Sequence, residues 1–295
     1  MGSRFAEISG EINCVADVKA ILGEGPAWAP RENALYWVDI NGRRIFRLRD
    51  GATRSWDTPM KIGSICPREQ GGFVVGTENG LAFTEQPFTQ FDLFADPDAA
   101  FPDNRFNDGK TDREGRYWAG TMDNRERQAS GTLYRLDANR RLAAIDSGYR
   151  VTNGPAFSPE GRTMYHSDTA LQLIYAFDLD ADGGAANRRE FLRFGKGDGF
   201  PDGMTVDADG CLWVAFWDGW CIRRFSPSGE RLQEIKTPVQ RPTSVAFGDT
   251  DLKTLFITSA RRDLQGTELD AQPLAGGLFA ADVGVAGIAE RPFRG

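Results

Sequence analysis

Four times along this chain a polar residue stands one or two places ahead of a glycine, at the head of a short apolar run: Glu24-Gly25-Pro26-Ala27-Trp28, Asn107-Asp108-Gly109, Asn153-Gly154-Pro155-Ala156-Phe157 and Asp202-Gly203-Met204. A second apolar run follows each glycine by 8 to 11 residues: Leu35-Tyr36-Trp37-Val38, Tyr117-Trp118-Ala119-Gly120, Met164-Tyr165-His166-Ser167 and Leu212-Trp213-Val214-Ala215. Two further units complete the set. Ser64-Ile65-Cys66 precedes Phe73-Val74-Val75, and Thr243-Ser244-Val245 precedes Leu255-Phe256-Ile257. Anchored on Tyr36, Phe73, Tyr117, Tyr165, Leu212 and Leu255, the repeat advances by 37, 44, 48, 47 and 43 residues. The runs are joined by turn-forming segments such as Asp112-Arg113-Glu114-Gly115 and Asp207-Ala208-Asp209-Gly210, which is hairpin chemistry. A third strand follows in most units, as in Leu173-Ile174-Tyr175-Ala176-Phe177, and a fourth fits after it, as in Glu190-Phe191-Leu192-Arg193-Phe194.

No helical period of useful length interrupts this pattern. Six units of four strands, repeating every ~40–45 residues, describe an all-β six-bladed β-propeller rather than stacked sandwiches. The sixth unit runs short of strands near its C-terminal end, and the stretch 12–21 is expected to supply the missing outer strand and close the ring. The chain reads as one domain, residues 1–295, with 1–11 expected to be a loosely held N-terminus.

Composition narrows the partners. A net charge of -7 with pI near 5.0 argues against nucleic acid or an anionic membrane as partner. No apolar run approaches the ~20 residues of a membrane span. The first twenty residues lack the charged-then-apolar plan of a signal peptide. Cys14, Cys66, Cys211 and Cys221 form no CxxC pair and read as reduced thiols, so a cytoplasmic protein is expected. A closed propeller offers few free strand edges, which makes a monomer the default expectation.

In a propeller the first strand of each blade lines the central channel. The repeat therefore brings Glu24, Asn107 or Asp108, Asn153 and Asp202 to one mouth of that channel, while blades two and six offer Ser64 or Ile65 and Thr243. Converging carboxylates and an amide call for a compensating charge. One divalent cation supplies it: the oxygen donors suit Ca²⁺, Mg²⁺ or Mn²⁺, and Zn²⁺ or Fe²⁺ can also use them. Each Asn-Gly or Asp-Gly could by itself be only a turn. Four of them at one place in a repeat favour a site.

The segments Leu22-Gly23-Glu24-Gly25-Pro26, Arg105-Phe106-Asn107-Asp108-Gly109-Lys110, Gly115-Arg116-Tyr117-Trp118-Ala119-Gly120-Thr121-Met122, Asn153-Gly154-Pro155 and Pro201-Asp202-Gly203-Met204 resemble the regucalcin/gluconolactonase family, also called the senescence marker protein family, in its bacterial sugar-lactonase form. The resemblance runs from about Cys14 to about Asp282. It implies the same propeller, one divalent metal in the channel and hydrolysis of sugar lactones. It implies Glu24, Asn153 and Asp202 as metal ligands, Asp202 also as general base, and Arg105 and Asn107 as substrate contacts. Asp108 is left as a turn or supporting residue. The run Asp123-Asn124-Arg125-Glu126, with its short loop before Gly131, departs from the animal-type pattern, and the resemblance assigns no role there.

Other signals carry less. Asp178-Leu179-Asp180-Ala181-Asp182-Gly183 copies the start of an EF-hand, but the twelfth position is Arg189, so it reads as a hairpin tip. His166 is the only histidine, which excludes histidine-cluster metal sites, and it reads as a packed residue. No GxSxG elbow is present. Gly195-Lys196-Gly197-Asp198-Gly199 reads as a loop leading to Asp202 rather than a phosphate cradle. The expected function is metal-dependent hydrolysis of a pentono- or hexonolactone to the aldonic acid. The rivals are a Ca²⁺-binding regulatory protein, a promiscuous esterase or organophosphate hydrolase on the same metal, and a pure interaction platform. Arg105 and Asn107 favour the lactonase, because a Ca²⁺ buffer needs no sugar contacts.

Overall fold

The computed structural model describes residues 11–295. The expected N-terminal segment 1–11 lies outside the described residues except for Glu11. Six four-stranded antiparallel sheets stand around an axis. Their innermost strands are Gly23–Ala29, Ile62–Pro67, Asn104–Thr111, Thr152–Phe157, Phe200–Val206 and Pro242–Gly248, for blades one to six in order. Each is followed outward by the second, third and fourth strands of its blade, as the hairpin turns require. Blade six is the exception. Its spatial order is Asn13–Ala16, Leu278–Asp282, Thr254–Ser259, Pro242–Gly248, so the N-terminal strand forms its outer edge. The ring closes as the sequence implies, within the stretch 12–21. The EF-hand-like segment is a hairpin tip between the third and fourth strands of blade four, where Gly184 N donates to Asp180 Oδ1 at 2.7 Å.

Apolar residues on the second and third strands pack between neighbouring blades. Tyr36 of blade one lies against Phe73 of blade two with ring centroids 4.6 Å apart, and Phe88 completes that seam. Burial of each such side chain is worth about 1.5–3 kcal/mol. The second-strand tryptophans Trp37, Trp118 and Trp213 are buried. Two of them bring a polar N–H inside, and the turn carboxylates receive it: Trp118 Nε1 donates to Asp112 Oδ2 and Trp213 Nε1 to Asp207 Oδ2, both at 2.8 Å. The turns that mark the hairpins in the sequence thus also satisfy the blade cores.

The opposite end of the ring has its own carboxylates. Asp39, closing the second strand of blade one, accepts from Ile21 N and Leu22 N at 2.9 and 3.0 Å. Asp168 does the same in blade four for Arg150 N and Val151 N, at 3.0 and 3.3 Å. Each holds the segment that leads into an inner strand, and so fixes the rim of one channel mouth.

The other mouth is crossed by the C-terminal segment 283–295. Gly287 N donates to Leu252 O and Ala208 N to Ala286 O, tying it to blades five and six. Farther on, Arg294 N donates to Gly115 O and Phe293 N to Pro67 O, on blades three and two. Phe293 is fully buried beside Tyr117 and Phe83. Inside the channel, Lys110 Nζ donates to Met204 O at 2.9 Å and pairs with Glu290 of this segment at 3.1 Å.

Candidate active site

All four polar positions of the repeat reach one cavity, but they do not occupy one register position. The inner strands of blades one, three, four and five each carry a bulge in which two residues oppose one on the second strand. Glu24 and Asn153 are the last paired residues before their bulges. Asn107 and Asp202 are the first unpaired residues within theirs. The accompanying glycines accordingly serve different ends. Gly25 and Gly154 fill the bulge itself with φ of +54° and +83°, which side chains disfavour. Gly203 is fixed instead by closeness, since a Cβ there would sit 2.0 Å from Ser244 Oγ.

Blades two and six contribute no side chain to the cavity from their bulges, contrary to expectation. In blade two the bulged residue is Gly63, where a Cβ would lie 2.4 Å from Phe106 O. Ser64 is turned to Tyr117 Oη, 2.6 Å away, and Ile65 packs in the seam between blades. In blade six Thr243 Oγ1 donates to Gly23 O at 2.5 Å and stitches the sixth blade to the first.

The cavity has a volume of about 380 Å³ and is lined by Glu24, Arg105, Asn107, Asn153 and Asp202 among others. Both carboxylates are buried, and neither forms an ion pair among the described residues. Glu24 Oε2 accepts only from the next amide, Gly25 N, at 3.0 Å. Burial, with the charge of Asp108 nearby, pushes the Glu24 carboxyl up to about 8. Burial and the charges of Glu24 and Asp108 hold Asp202 well above the usual carboxylate range. Such a pair is poorly matched to an empty interior.

A hydrogen-bonded chain links polar side chains of blades three and four and ends on the backbone of blade five. Arg105 Nη1 donates to Asn107 Oδ1 at 2.6 Å, and Asn107 Nδ2 donates to Asn153 Oδ1 at 3.0 Å and to Thr152 O at 2.7 Å. Asn153 Nδ2 donates to Thr169 Oγ1 at 2.8 Å, and Thr169 Oγ1 to Pro201 O at 2.7 Å, next to Asp202. The chain fixes the Asn153 amide with its oxygen toward Asn107 and its nitrogen toward Thr169. Arg105 spends Nε on Asn124 Oδ1 and Nη1 on Phe106 O and Asn107, which leaves Nη2 as its uncommitted donor. Burial lowers this guanidinium to about 10.

Asp108 does not line the cavity. It accepts from Gly109 N at 2.8 Å and from Gly154 N of the next blade at 2.9 Å, so it positions the Asn153-Gly154 bulge from behind. His166, opposite that bulge, is fully buried and packs edge-on against Tyr149 at 4.9 Å, outside the cavity lining. Burial lowers its imidazole to about 3, so it stays neutral. Among the described residues no three His, Cys, Asp or Glu side chains group as a metal cluster. The donor set that faces the cavity is two carboxylates and an amide oxygen. Their chemistry fits a hard divalent cation, because neither buried carboxylate has an ion-pair partner among the described residues and Arg105 is only a minor influence on Glu24.

The sequence assigned no role to several residues of the wall. Glu126, from the loop between the second and third strands of blade three, lies at the mouth, as do Arg150, Arg241 and Arg262. Phe200 and Trp217, paired across blade five, form an apolar side. These residues sit in the segments between strands, where spacing varies from blade to blade and a repeat leaves no mark.

The family model described as SMP-30/Gluconolactonase/LRE-like region matches residues 22–261. A 6-deoxy-6-sulfogluconolactonase of Pseudomonas putida is 40% identical over 96% of this chain and 99% of its own length. Regucalcin of Gallus gallus is 36% identical over 97% of this chain and 99% of its own. The crystal structure of a calcium-binding protein, regucalcin, from Agrobacterium tumefaciens superposes with a TM-score of 0.91 at 26% identity, covering 98% of both chains.

Proposed function

Because the chain belongs to the SMP-30/gluconolactonase/LRE-like family, we propose that it is an enzyme that hydrolyses a sugar-derived aldonolactone to the aldonic acid at the channel mouth, using one divalent metal ion. The observation that carries this reading is the pair of buried, uncompensated carboxylates, Glu24 and Asp202, facing a cavity with the Asn153 amide and the Arg105 donor. Glu24, Asn153 and Asp202 would hold the metal. When bound, the cation supplies charge that polarises the lactone carbonyl and acidifies a water.

The chain's own groups do the rest. Asp202 takes the proton of the water as its oxygen adds to the carbonyl carbon, and returns it to the ring oxygen as the acyl C–O bond breaks. Arg105 Nη2 and the remaining lone pair of Asn107 Oδ1 meet ring hydroxyls. Asn107 cannot turn away to do so, because its nitrogen is bound on two sides. The metal is one of Ca²⁺, Zn²⁺, Mn²⁺, Mg²⁺ or Fe²⁺, and an oxygen-only set accepts several of these.

A second reading, a Ca²⁺-binding protein without turnover, has support in the 0.91 superposition on a structure described as calcium-binding. A panel of pentono- and hexonolactones followed by proton release, with and without chelator, separates the two. Metal-dependent turnover supports the lactonase. Saturable Ca²⁺ binding with no turnover of any lactone overturns it. No helix of the described residues is long and apolar enough to cross a membrane. Four free thiols support a cytoplasmic location, and the closed ring supports a single-domain monomer, which light scattering tests.

A further inference from the structure

Lys110 is a buried cation for which the hydrolysis described above has no use. It leaves the inner strand of blade three two residues after Asp108 and reaches the inner strand of blade five, where Nζ donates to Met204 O at 2.9 Å. Glu290 Oε1, from the C-terminal segment across the far mouth, sits 3.1 Å from the same ammonium. The two side chains are 9% and 18% exposed, and the space left beside them is only about 10 Å³. An ammonium so buried needs a partner, and the C-terminal segment brings one.

The carbonyl that Lys110 holds stands at a critical place. Met204 is the first residue of blade five to resume pairing after the bulge that carries Asp202 and Gly203. It is fully buried, and its side chain packs against the bulge of blade four, since a Cβ at Gly154 would lie 3.3 Å from Met204 Cγ and Sδ. Asp108, on the same strand as Lys110, accepts from Gly154 N in that bulge. Blade three therefore grips both neighbouring bulges: the one beside Asn153 through Asp108, and the one beside Asp202 through Lys110. A charged donor anchors a carbonyl more firmly than a neutral one does.

We propose that Lys110 is a positioning residue for the metal site, setting where Asp202 stands relative to Asn153, and that Glu290 supports it from the opposite mouth as its counter-ion. The proposal rests on the metal reading above and goes beyond it by tying the site to the C-terminal segment. Position and charge act with opposite sign here. The Lys110 charge reaches Asp108, where burial raises the carboxyl to about 6 and the ammonium is the largest influence opposing it. An ammonium near a cation site repels the cation, so if charge were all that Lys110 supplied, its removal would tighten metal binding. If it supplies position, its removal weakens binding.

Titration calorimetry with Ca²⁺, Mn²⁺ and Zn²⁺ decides between them. Lys110→Met keeps the length of the side chain and removes both donor and charge. Affinity is expected to fall about tenfold or more, as for other supports of metal ligands. Glu290→Gln should weaken binding less, and the double variant should bind as Lys110→Met does alone, because Glu290 acts through Lys110. Should Lys110→Met fail to fold, Lys110→Gln, which offers Glu290 a donor, carries the same expectation. Equal or tighter binding in the folded lysine variant overturns the inference and leaves the metal reading standing. Additive losses in the double variant overturn the role given to Glu290. A wild-type protein that binds none of these cations overturns the metal reading and this inference with it.

Discussion

Glu126 Oε1 and Arg262 Nη1 meet at 3.0 Å across the channel mouth, from blades that face each other through the axis. The loop that carries Glu126 is braced by Asp123, which accepts from Arg125 N, Arg127 N and Gln128 N at 2.9 to 3.0 Å. Arg262 is braced in turn by its amide, which donates to Ile21 O at 2.8 Å. The mouth is therefore strapped by a single half-exposed ion pair between two rigid supports.

Such a pair contributes little to stability, about 0–1 kcal/mol. Glu126→Gln and Arg262→Gln are expected to unfold in denaturant within that range of the wild type, while kcat/KM changes by about tenfold because the wall they form is altered. A large loss of stability with unchanged kinetics would show the pair to be structural only.

The two buried carboxylates set the pH response of the metal-free protein. Glu24 holds its proton to about 8 in the folded chain against an ordinary 4.5, and Asp202 is shifted the same way. Between those values each carboxyl binds more protons folded than unfolded, so its contribution to stability falls as pH rises. The buried His166, lowered from 6.5 to about 3, opposes this at the acid end, so in chelator Tm is expected to decline from about pH 6.5 to about 8. Added divalent cation should restore it most at the upper end, where both acids are charged. A flat Tm across that window in chelator would contradict this account.

Asp202→Asn keeps the shape of the site and removes its base. Hydrolysis is expected to fall by about 10²–10⁴-fold. Circular dichroism should be unchanged. Retention of full lactonase activity would remove Asp202 from the mechanism.

Thr169 touches no reacting group, but its hydroxyl fixes the Asn153 amide through the 2.8 Å bond. Thr169→Val frees that amide to flip. Divalent-cation affinity should weaken by about 10–100-fold, as for other supports of metal ligands. Titration calorimetry reads this directly, and an unchanged affinity would show that Asn153 is oriented by Asn107 alone.

Phe293 fills a space between blades two and three from the C-terminal segment. Phe293→Ala is expected to cost about 3–5 kcal/mol. Equilibrium denaturation measures it, and a loss under 1 kcal/mol would mean that the segment is held by its backbone bonds instead.

The fold was legible because each blade repeats the same two apolar runs around a turn, and Tyr36, Tyr117 and Tyr165 mark the same place in blades one, three and four. The site was legible in part. Glu24, Asn153 and Asp202 stand out because glycine follows each, yet the glycines answer to different needs, so the sequence merged two bulge positions into one. Ser64 and Thr243 were drawn into the ring by the same merger. The rim was not legible. Arg150, Glu126, Arg241 and Arg262 come from connections of unequal length, where the repeat has no register, and only the folded ring brings them to one wall.

The sixth blade unites Asn13–Ala16 with Leu278–Asp282. During synthesis the first of these strands leaves the ribosome early and has no partner until the last is made. Blades one to five can form in order as they emerge, but the ring stays open until the strand Leu278–Asp282 is out. The channel mouth, which needs blades one and six side by side, is therefore assembled last, and a ribosome stalled late in the message would hold five finished blades and no working site.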